Sequence, residues 1–178
     1  MDWYKKLTNY FPPHEMKHPE QIKNLLEQTH LYKKRETPEY IATYAEFPTF
    51  LFIDYLLVQP NIRAKGVGSK VLSTFKEKGK TILLEVEPPD AENHDTSKRI
   101  RFYEKNGFCK AEHIGYSRFD EHGQQHSMDI YYWSPEDVSE QKIMRQMATI
   151  CEEIHNFESE KYYGRMVADP EEVLDWLH

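Results

Sequence analysis

The sequence contains no apolar run that approaches the roughly 20 residues of a membrane-spanning helix. Its opening residues, MDWYKKLTNYFPP, carry charges where a signal peptide has an apolar core. Internal repeats and low-complexity segments are also absent. These absences indicate a cytoplasmic protein, and a length of 178 residues suits one domain with its own hydrophobic core.

The sequence has only two cysteines, and its acidic residues outnumber its basic ones. Cys109 and Cys151 lie far apart and fit no metal or redox spacing, which favours reduced structural thiols. A net charge of -7 argues against nucleic-acid binding, because neutralising phosphates requires a basic face. His122 and His126 flank a polar turn but have no third ligand at a metal-binding spacing. We therefore expect no metal, nucleic acid or membrane partner.

The stretch VQPNIRAKGVGSKVLSTF, residues 58–75, changes at its centre from the end of a strand-like run to a helix-like spacing of apolar residues. The preceding run LFIDYLLV (51–58) predicts a buried strand, and apolar residues recur at helical spacing over 67–75. The run TILLEVE (81–87) predicts a second strand, so the crossover should be right-handed and the two strands parallel. Antiparallel partners are predicted from YIATYAEF, which precedes the first strand, and from a hairpin of FCKAEHIGYSRF with SMDIYYW.

Gly66 and Gly68 lie between the predicted strand and helix. A turn of this kind exposes unpaired N–H groups at the positive end of the helix dipole, where phosphate or pyrophosphate binds. Nearby residues that could donate charge or hydroxyl groups are Arg63, Lys65, Ser69 and Lys70. The alternative is a glycine turn that only reverses the chain.

Two familiar phosphate loops do not fit the turn. The dinucleotide fingerprint needs a third glycine where this sequence has Val71. Residues 79–81, GKT, end like a P-loop, but Thr74 replaces its first glycine and the segment leads into a strand instead of a helix. We therefore do not expect nucleotide hydrolysis.

The turn RAKGVG, residues 63–68, resembles the acyl-CoA loop of the GCN5-related N-acetyltransferase (GNAT) superfamily. The strand ending LLVQP before it and the helix SKVLSTF after it are similar to those of the family. Further along, LLEVE followed by RFYEKNGF resembles the family's next strand and helix, in which a tyrosine precedes a Gly-Phe pair. The resemblance covers residues from about 51 to 112.

This resemblance implies an α/β (α+β) fold with a mixed, twisted sheet, whose two central parallel strands splay apart between flanking helices. Residues 1–133 would form the GNAT domain, and residues 134–178 a C-terminal helical extension packed on or near it. Ser134 is expected to cap its long helix and Asp169 its last one. The extension could cover the cleft, pack on the sheet or bind a partner; its aromatic residues favour packing.

The resemblance also implies that acetyl-CoA is the co-substrate. The main chain of two strand residues would pair with pantetheine, and the amides of the turn would hold the pyrophosphate. The residues expected to bind CoA are Leu57, Val58, Arg63, Ala64, Lys65, Gly66, Val67, Gly68 and Ser69.

The implied reaction is acetyl transfer to an amine of a small molecule or protein, without a protein nucleophile. Tyr103 matches the acid that protonates the CoA thiolate, although it could merely pack beneath its helix. Glu85 matches the base position of some members; Glu87 shares its strand face, and Asp54 on the neighbouring strand is a rival. A base is needed because an amine with a pKa of about 10.4 is almost fully protonated at neutral pH. The alternative function is a non-catalytic acyl-CoA-binding or partner-docking module. Oligomeric state is open.

Overall fold

The structure is a computed structural model that describes residues 1–120 and 122–178, apart from the side chains of Arg63 and Ala64. The described strands are β1 (Tyr32–Glu36), β2 (Tyr40–Glu46), β3 (Phe50–Val58), β4 (Thr81–Val86), β5 (Cys109–Lys110), β6 (Ile114–Phe119), β7 (Gln125–Trp133) and β8 (Leu174–Trp176). The α-helices are α1 (Asp2–Tyr10), α2 (Pro19–Gln28), α3 (Val67–Lys76), α4 (His94–Lys105), α5 (Glu140–Ile150), α6 (Ser159–Tyr163) and α7 (Pro170–Val173). Short 3-10 helices span Pro13–Glu15 and Pro60–Lys65, and a π-helical turn spans Cys151–His155. No helix within the described ranges is both long and apolar enough to cross a membrane.

The strands form one mixed sheet in the order β1-β2-β3-β4-β7-β6-β8, with β5 beside β7. The central strands β3 and β4 run parallel, and helix α3 connects them. The other neighbours are antiparallel, including the predicted pairs β2–β3 and β6–β7. The expectation of a mixed sheet around a parallel pair is therefore confirmed.

Strands β3 and β4 pair over only part of their length. Their register runs from Phe50 opposite Thr81 to Ile53 opposite Leu84. Beyond Ile53, β3 continues to Val58 beside β2, while the end of β4 stays beside β7. The two central strands thus part at their carboxyl ends, which opens a cleft in the middle of the sheet.

The sheet is covered on both faces, and side chains of its strands alternate between two hydrophobic clusters. Leu83 belongs to the cluster that contains apolar residues of α1, α2 and α5. Its neighbours Ile82 and Leu84 belong to the cluster formed with α3 and α4. Helices on both faces of a central parallel pair bury its near-continuous apolar sequence.

The C-terminal segment differs from the sequence expectation in two places. The helix predicted to start after Ser134 begins at Glu140 instead, because Ser139 caps it by accepting a hydrogen bond from Lys142 N. The Ser134 hydroxyl is instead 2.9 Å from that of Thr81. Asp169 caps α7 as expected, but α7 is short, and the chain continues as strand β8 beside β6. Alternating Leu174, Asp175 and Trp176 suit this edge strand better than a helix.

Candidate active site

The turn between β3 and α3 places several backbone amides at the start of a helix. Gly66 has a φ of 75°, a left-handed conformation that favours glycine, and α3 begins at the next residue. Lys70 N donates to Gly66 O, so the amides of residues 67–69 precede the first hydrogen bond within the helix. The backbone of Arg63 and Ala64 belongs to the 3-10 helix Pro60–Lys65, and the Arg63 side chain, expected to supply charge, lies outside the described part of the structure. The backbone geometry suits an anionic ligand.

Gly68 is required by close packing. A Cβ atom at this position would lie 2.8 Å from Cζ of Phe102 on α4 and 3.5 Å from a methyl group of Val58. The absence of a side chain therefore lets α3 start directly against α4 and the end of β3.

A cavity of about 470 Å³ occupies the cleft where β3 and β4 part. The residues expected from the sequence that line it are Asp54, Leu57, Val58, Gly66, Gly68, Ser69, Glu85 and Tyr103. Lys65 is exposed, and Val67 is buried beneath the turn. Lys98 and Lys105 of α4 also line the cavity, so cationic side chains accompany the amides of the turn.

Tyr103 lies on α4 with its side chain buried at the cavity wall. Its ring packs edge-on against Phe102 and Phe108. Burial raises the pKa of Tyr103 to about 12, against the opposing charge of Arg99 and with a further rise from Glu15. The phenol is therefore protonated at neutral pH.

Glu85 is buried and fully engaged in hydrogen bonds. Its Oε1 accepts from Arg118 Nη1 at 2.9 Å, and its Oε2 accepts from Tyr116 Oη at 3.0 Å and His155 Nε2 at 2.6 Å. Burial opposes ionisation, but His155 and the Arg118 guanidinium outweigh it and hold the pKa of Glu85 well below its usual range. Glu85 is thus ionised at neutral pH and accepts a proton poorly.

Asp54 forms a second buried ion pair. Its Oδ2 accepts from Lys17 Nζ at 2.8 Å and from the Tyr32 hydroxyl at 2.6 Å. The Lys17 and Asp54 side chains are only 3% and 6% exposed. Burial lowers the pKa of Lys17, while Asp54 opposes that shift.

His155 joins the two carboxylate sites through its two ring nitrogens. Lys17 Nζ lies 3.0 Å from its Nδ1, and an ammonium group can only donate. The proton of a neutral ring must then be on Nε2, which donates to Glu85. Burial, with the charges of Lys17 and Arg118, lowers the pKa of His155 to about 4, so the ring is neutral at physiological pH.

Glu15 differs from these paired groups. It ends the 3-10 helix Pro13–Glu15, it lines the cavity, and its Oε2 is buried without a hydrogen-bond partner among the described residues. Burial raises the pKa of Glu15 to about 7; Arg99 opposes the rise, and Glu87 and Glu85 add to it. A carboxyl group in this state can both take and release a proton near neutrality.

Arg99 closes the cavity near Glu15. Its guanidinium carbon lies 5.2 Å from the ring centroid of Tyr10 and 5.4 Å from that of Phe11. Both rings line the cavity, so this part of its wall is aromatic, and the positive charge of Arg99 acts on the Glu15 carboxyl.

Comparison with known proteins shows the family to which a chain with this fold and cleft belongs. Residues 26–110 match the family model described as an acetyltransferase (GNAT) domain. The Bacillus subtilis (strain 168) protein named "Putative acetyltransferase YjbC" is 42% identical over 177 residues, which are 98% of this chain and 92% of that protein. This chain belongs to the GNAT acetyltransferase family. GNAT acetyltransferases use acetyl-CoA, so family membership supports acetyl-CoA-dependent acyl transfer by this chain.

Solved structures share the GNAT fold. A GNAT-family protein from Bacteroides thetaiotaomicron aligns with a TM-score of 0.68 at 20% identity and covers 92% of each chain. A Bacillus subtilis acetyltransferase in complex with CoA aligns with a TM-score of 0.51 at 16% identity, over 76% of this chain and 93% of that one. The fold implied by the turn RAKGVG together with the segments LLEVE and RFYEKNGF is therefore confirmed.

Several residues that complete the GNAT cleft come from distant parts of the chain and are not predicted by the sequence patterns. Glu15 and Lys17 lie in the connection before α2, Arg118 lies on β6, and His155 lies in the π-helical turn. No local spacing links them to Glu85 or Asp54. The one available signal was the apolar repeat Ile143, Met147, Ile150, Ile154 and Phe157, which surrounds His155 and predicts that this segment packs against the core.

Proposed function

We propose that this GNAT-family protein is an N-acetyltransferase that moves the acetyl group of acetyl-CoA to an amine of a small molecule or protein. The observation that carries the proposal is one continuous cavity, which joins the glycine turn to Tyr103 through the opening between β3 and β4. A long donor needs such a channel, with an anion site at one end and proton-transfer groups at the other.

Acetyl-CoA would bind with its pyrophosphate on the turn. The amides at Val67, Gly68 and Ser69 face the anion at the positive end of α3, and Lys98 and Lys105 add charge from α4. The pantetheine arm would lie along the ends of β3 and β4, with the main chain of Leu57 and Val58 beside it. The thioester would then reach the part of the cavity lined by Tyr103.

Tyr103 would act as the acid for the departing thiolate. Burial keeps its hydroxyl protonated, so it can donate to sulfur as negative charge develops there. Replacement by phenylalanine keeps the ring contacts with Phe102 and Phe108 and removes only the donor.

Glu85 and Asp54 suit a different role from that of the general base, which the resemblance to the GNAT family implied for Glu85 and left open for Asp54. Each accepts hydrogen bonds from buried partners, and the pKa of Glu85 is far below that of an effective base at neutral pH. We propose instead that these two carboxylates hold Arg118, His155 and Lys17 in place and so shape the cleft.

The experiment that tests the proposed function measures acetyl transfer directly. Purified wild type and Tyr103→Phe are incubated with acetyl-CoA and spermidine, an amino sugar, a lysine peptide and a peptide with a free N-terminus. We expect wild type to acetylate a nitrogen of one of these amines, detected by mass spectrometry. Tyr103→Phe should lower kcat roughly 100-fold while the affinity for acetyl-CoA is kept.

Two outcomes would overturn the proposal. Saturable acetyl-CoA binding without transfer to any amine would indicate the non-catalytic binding module. Equal kcat values for wild type and Tyr103→Phe would show that Tyr103 is not the general acid.

A further inference from the structure

We infer that Glu15, in the connection between α1 and α2, is the general base that takes the proton of the acceptor amine. This inference rests on the proposed function. It assigns the base to a residue outside the sheet, on the N-terminal segment that lines part of the cavity.

The backbone that carries Glu15 is fixed to the sheet. The Tyr55 hydroxyl on β3 donates to the carbonyl oxygen of Glu15 at 2.6 Å and accepts from Lys17 N at 2.9 Å. The ring of His14 stacks on that of His126 on β7, with 3.9 Å between centroids. The 3-10 helix is therefore held from two strands, so the Glu15 side chain projects from a rigid support.

The carboxylate of Glu15 is available in a way that the other two are not. Its Oε2 is shielded from water and has no hydrogen-bond partner in the described part of the chain. By contrast, both oxygens of Glu85 accept from neighbours, and Asp54 Oδ2 accepts from two. A buried acceptor without a partner is unusual, and an ammonium or amine group of a bound substrate would satisfy it.

The surrounding charges suit a group that must change protonation state. Glu15 faces Arg99 from α4, Arg118 from β6, and the carboxylates of Glu85 and Glu87. Burial and the two carboxylates favour the protonated form, and the two arginines favour the ionised form. The resulting pKa of about 7 is close to the value at which a general base is most effective.

Tyr103 and Glu15 line the same cavity, so an acid and a base border the same space. Glu15 takes one proton from the bound ammonium, and the free amine attacks the thioester carbonyl. The N–C bond forms, and the C–S bond then breaks. Tyr103 gives its proton to the sulfur and regains one from the nitrogen of the new amide. The products are the N-acetyl amine, CoA thiol and one proton, which Glu15 releases to solvent.

The test compares Glu15→Gln, Glu15→Asp and Glu20→Gln. The last makes the same chemical change at an exposed position on α2. With the amine that wild type acetylates in the screen above, Glu15→Gln should lower kcat/KM roughly 100- to 1,000-fold and leave acetyl-CoA affinity unchanged. Glu15→Asp should recover part of the loss. The wild-type fall in kcat/KM below about pH 7 should disappear in Glu15→Gln and persist in Glu20→Gln.

A second measurement needs no acceptor. Carbon-detected NMR of the protein labelled at its glutamate carboxyls should show one resonance that titrates near pH 7 and is absent from Glu15→Gln. A Glu15 resonance that titrates near 4.5, together with an unchanged pH profile in Glu15→Gln, would overturn the inference. In that case wild type would still acetylate the amine, whereas failure of the proposed function would show as no transfer by wild type at all.

Discussion

His155 Nδ1 lies 3.0 Å from Nζ of Lys17, although 138 residues of sequence separate the two. Because the ammonium has no lone pair, this contact fixes the ring as the Nε2–H tautomer, whose proton is donated to Glu85. One imidazole therefore connects the Lys17–Asp54 pair with the Glu85–Arg118 pair beneath the cleft.

The tautomer and charge of His155 can be measured in solution. We expect nitrogen NMR at pH 6 to show a neutral ring protonated at Nε2, because the pKa of His155 is lowered to about 4 by burial and by the neighbouring cations. A histidine of ordinary pKa is mostly charged at that pH. An imidazolium signal from His155 at pH 6 would contradict the assignment.

Removal of His155 should destabilise the protein. His155→Ala removes one hydrogen-bond partner from the buried Glu85 and one from the buried Lys17, so we expect the free energy of unfolding to fall by roughly 3 kcal/mol. His30→Ala, at an exposed position, is the control and should change it by less than about 0.5 kcal/mol. Denaturant titration measures both. Equal stability of the two variants would show that the ring is not a structural link.

Glu15→Gln should stabilise the protein at high pH. The pKa of Glu15 rises from 4.5 in the unfolded chain to about 7 in the folded one, so the folded state binds more protons between these values. The free energy of unfolding of wild type therefore falls by up to about 3 kcal/mol as pH rises from 4.5 past 7. Glutamine has no proton to lose, so the variant avoids this fall. We expect equal stability of the two proteins at pH 4 and higher stability of the variant at pH 8. A variant that is less stable at pH 8 would contradict the unpaired state of the carboxyl.

Gly68→Ala tests the close approach of α3 and α4. The added methyl carbon would lie 2.8 Å from Cζ of Phe102, so we expect a loss of roughly 1 kcal/mol of unfolding free energy. Phe102→Leu shortens the opposing side chain, and the double variant should recover most of the loss caused by Gly68→Ala. Purely additive effects in the double-mutant cycle would show that the two side chains do not compete for space.

The parts of the fold that the sequence predicts are those with local causes. Gly66 and Gly68 lie in the turn between a buried strand and an amphipathic helix. This local pattern, with the next apolar run, is sufficient to predict the parallel strands β3 and β4 and the turn after β3. Strand β1 escaped prediction because its sequence, YKKRE, is charged and lies at the sheet edge, where little apolar alternation is needed.

The remainder of the cleft could not be predicted, because its members meet only in the folded chain. Glu85 has an ordinary strand sequence around it, and its partners on β6 and in the π-helical turn lie 33 and 70 residues away. Nothing near Glu15 in sequence shows that its carboxyl will be buried without a partner. The distinction between paired and unpaired carboxylates requires the tertiary structure.

Calorimetric titration with acetyl-CoA tests most directly whether the acyl donor occupies this cleft. Ser69→Glu places a negative charge at the first turn of α3, where Ser69 lines the cavity; Ser73→Glu makes the same change one turn further, at an exposed position. We predict saturable binding by wild type and Ser73→Glu, and roughly tenfold weaker binding by Ser69→Glu, because two negative charges would meet at the turn. Equal affinity of all three proteins, or no binding by folded wild type, would contradict the placement of acetyl-CoA between β3 and β4.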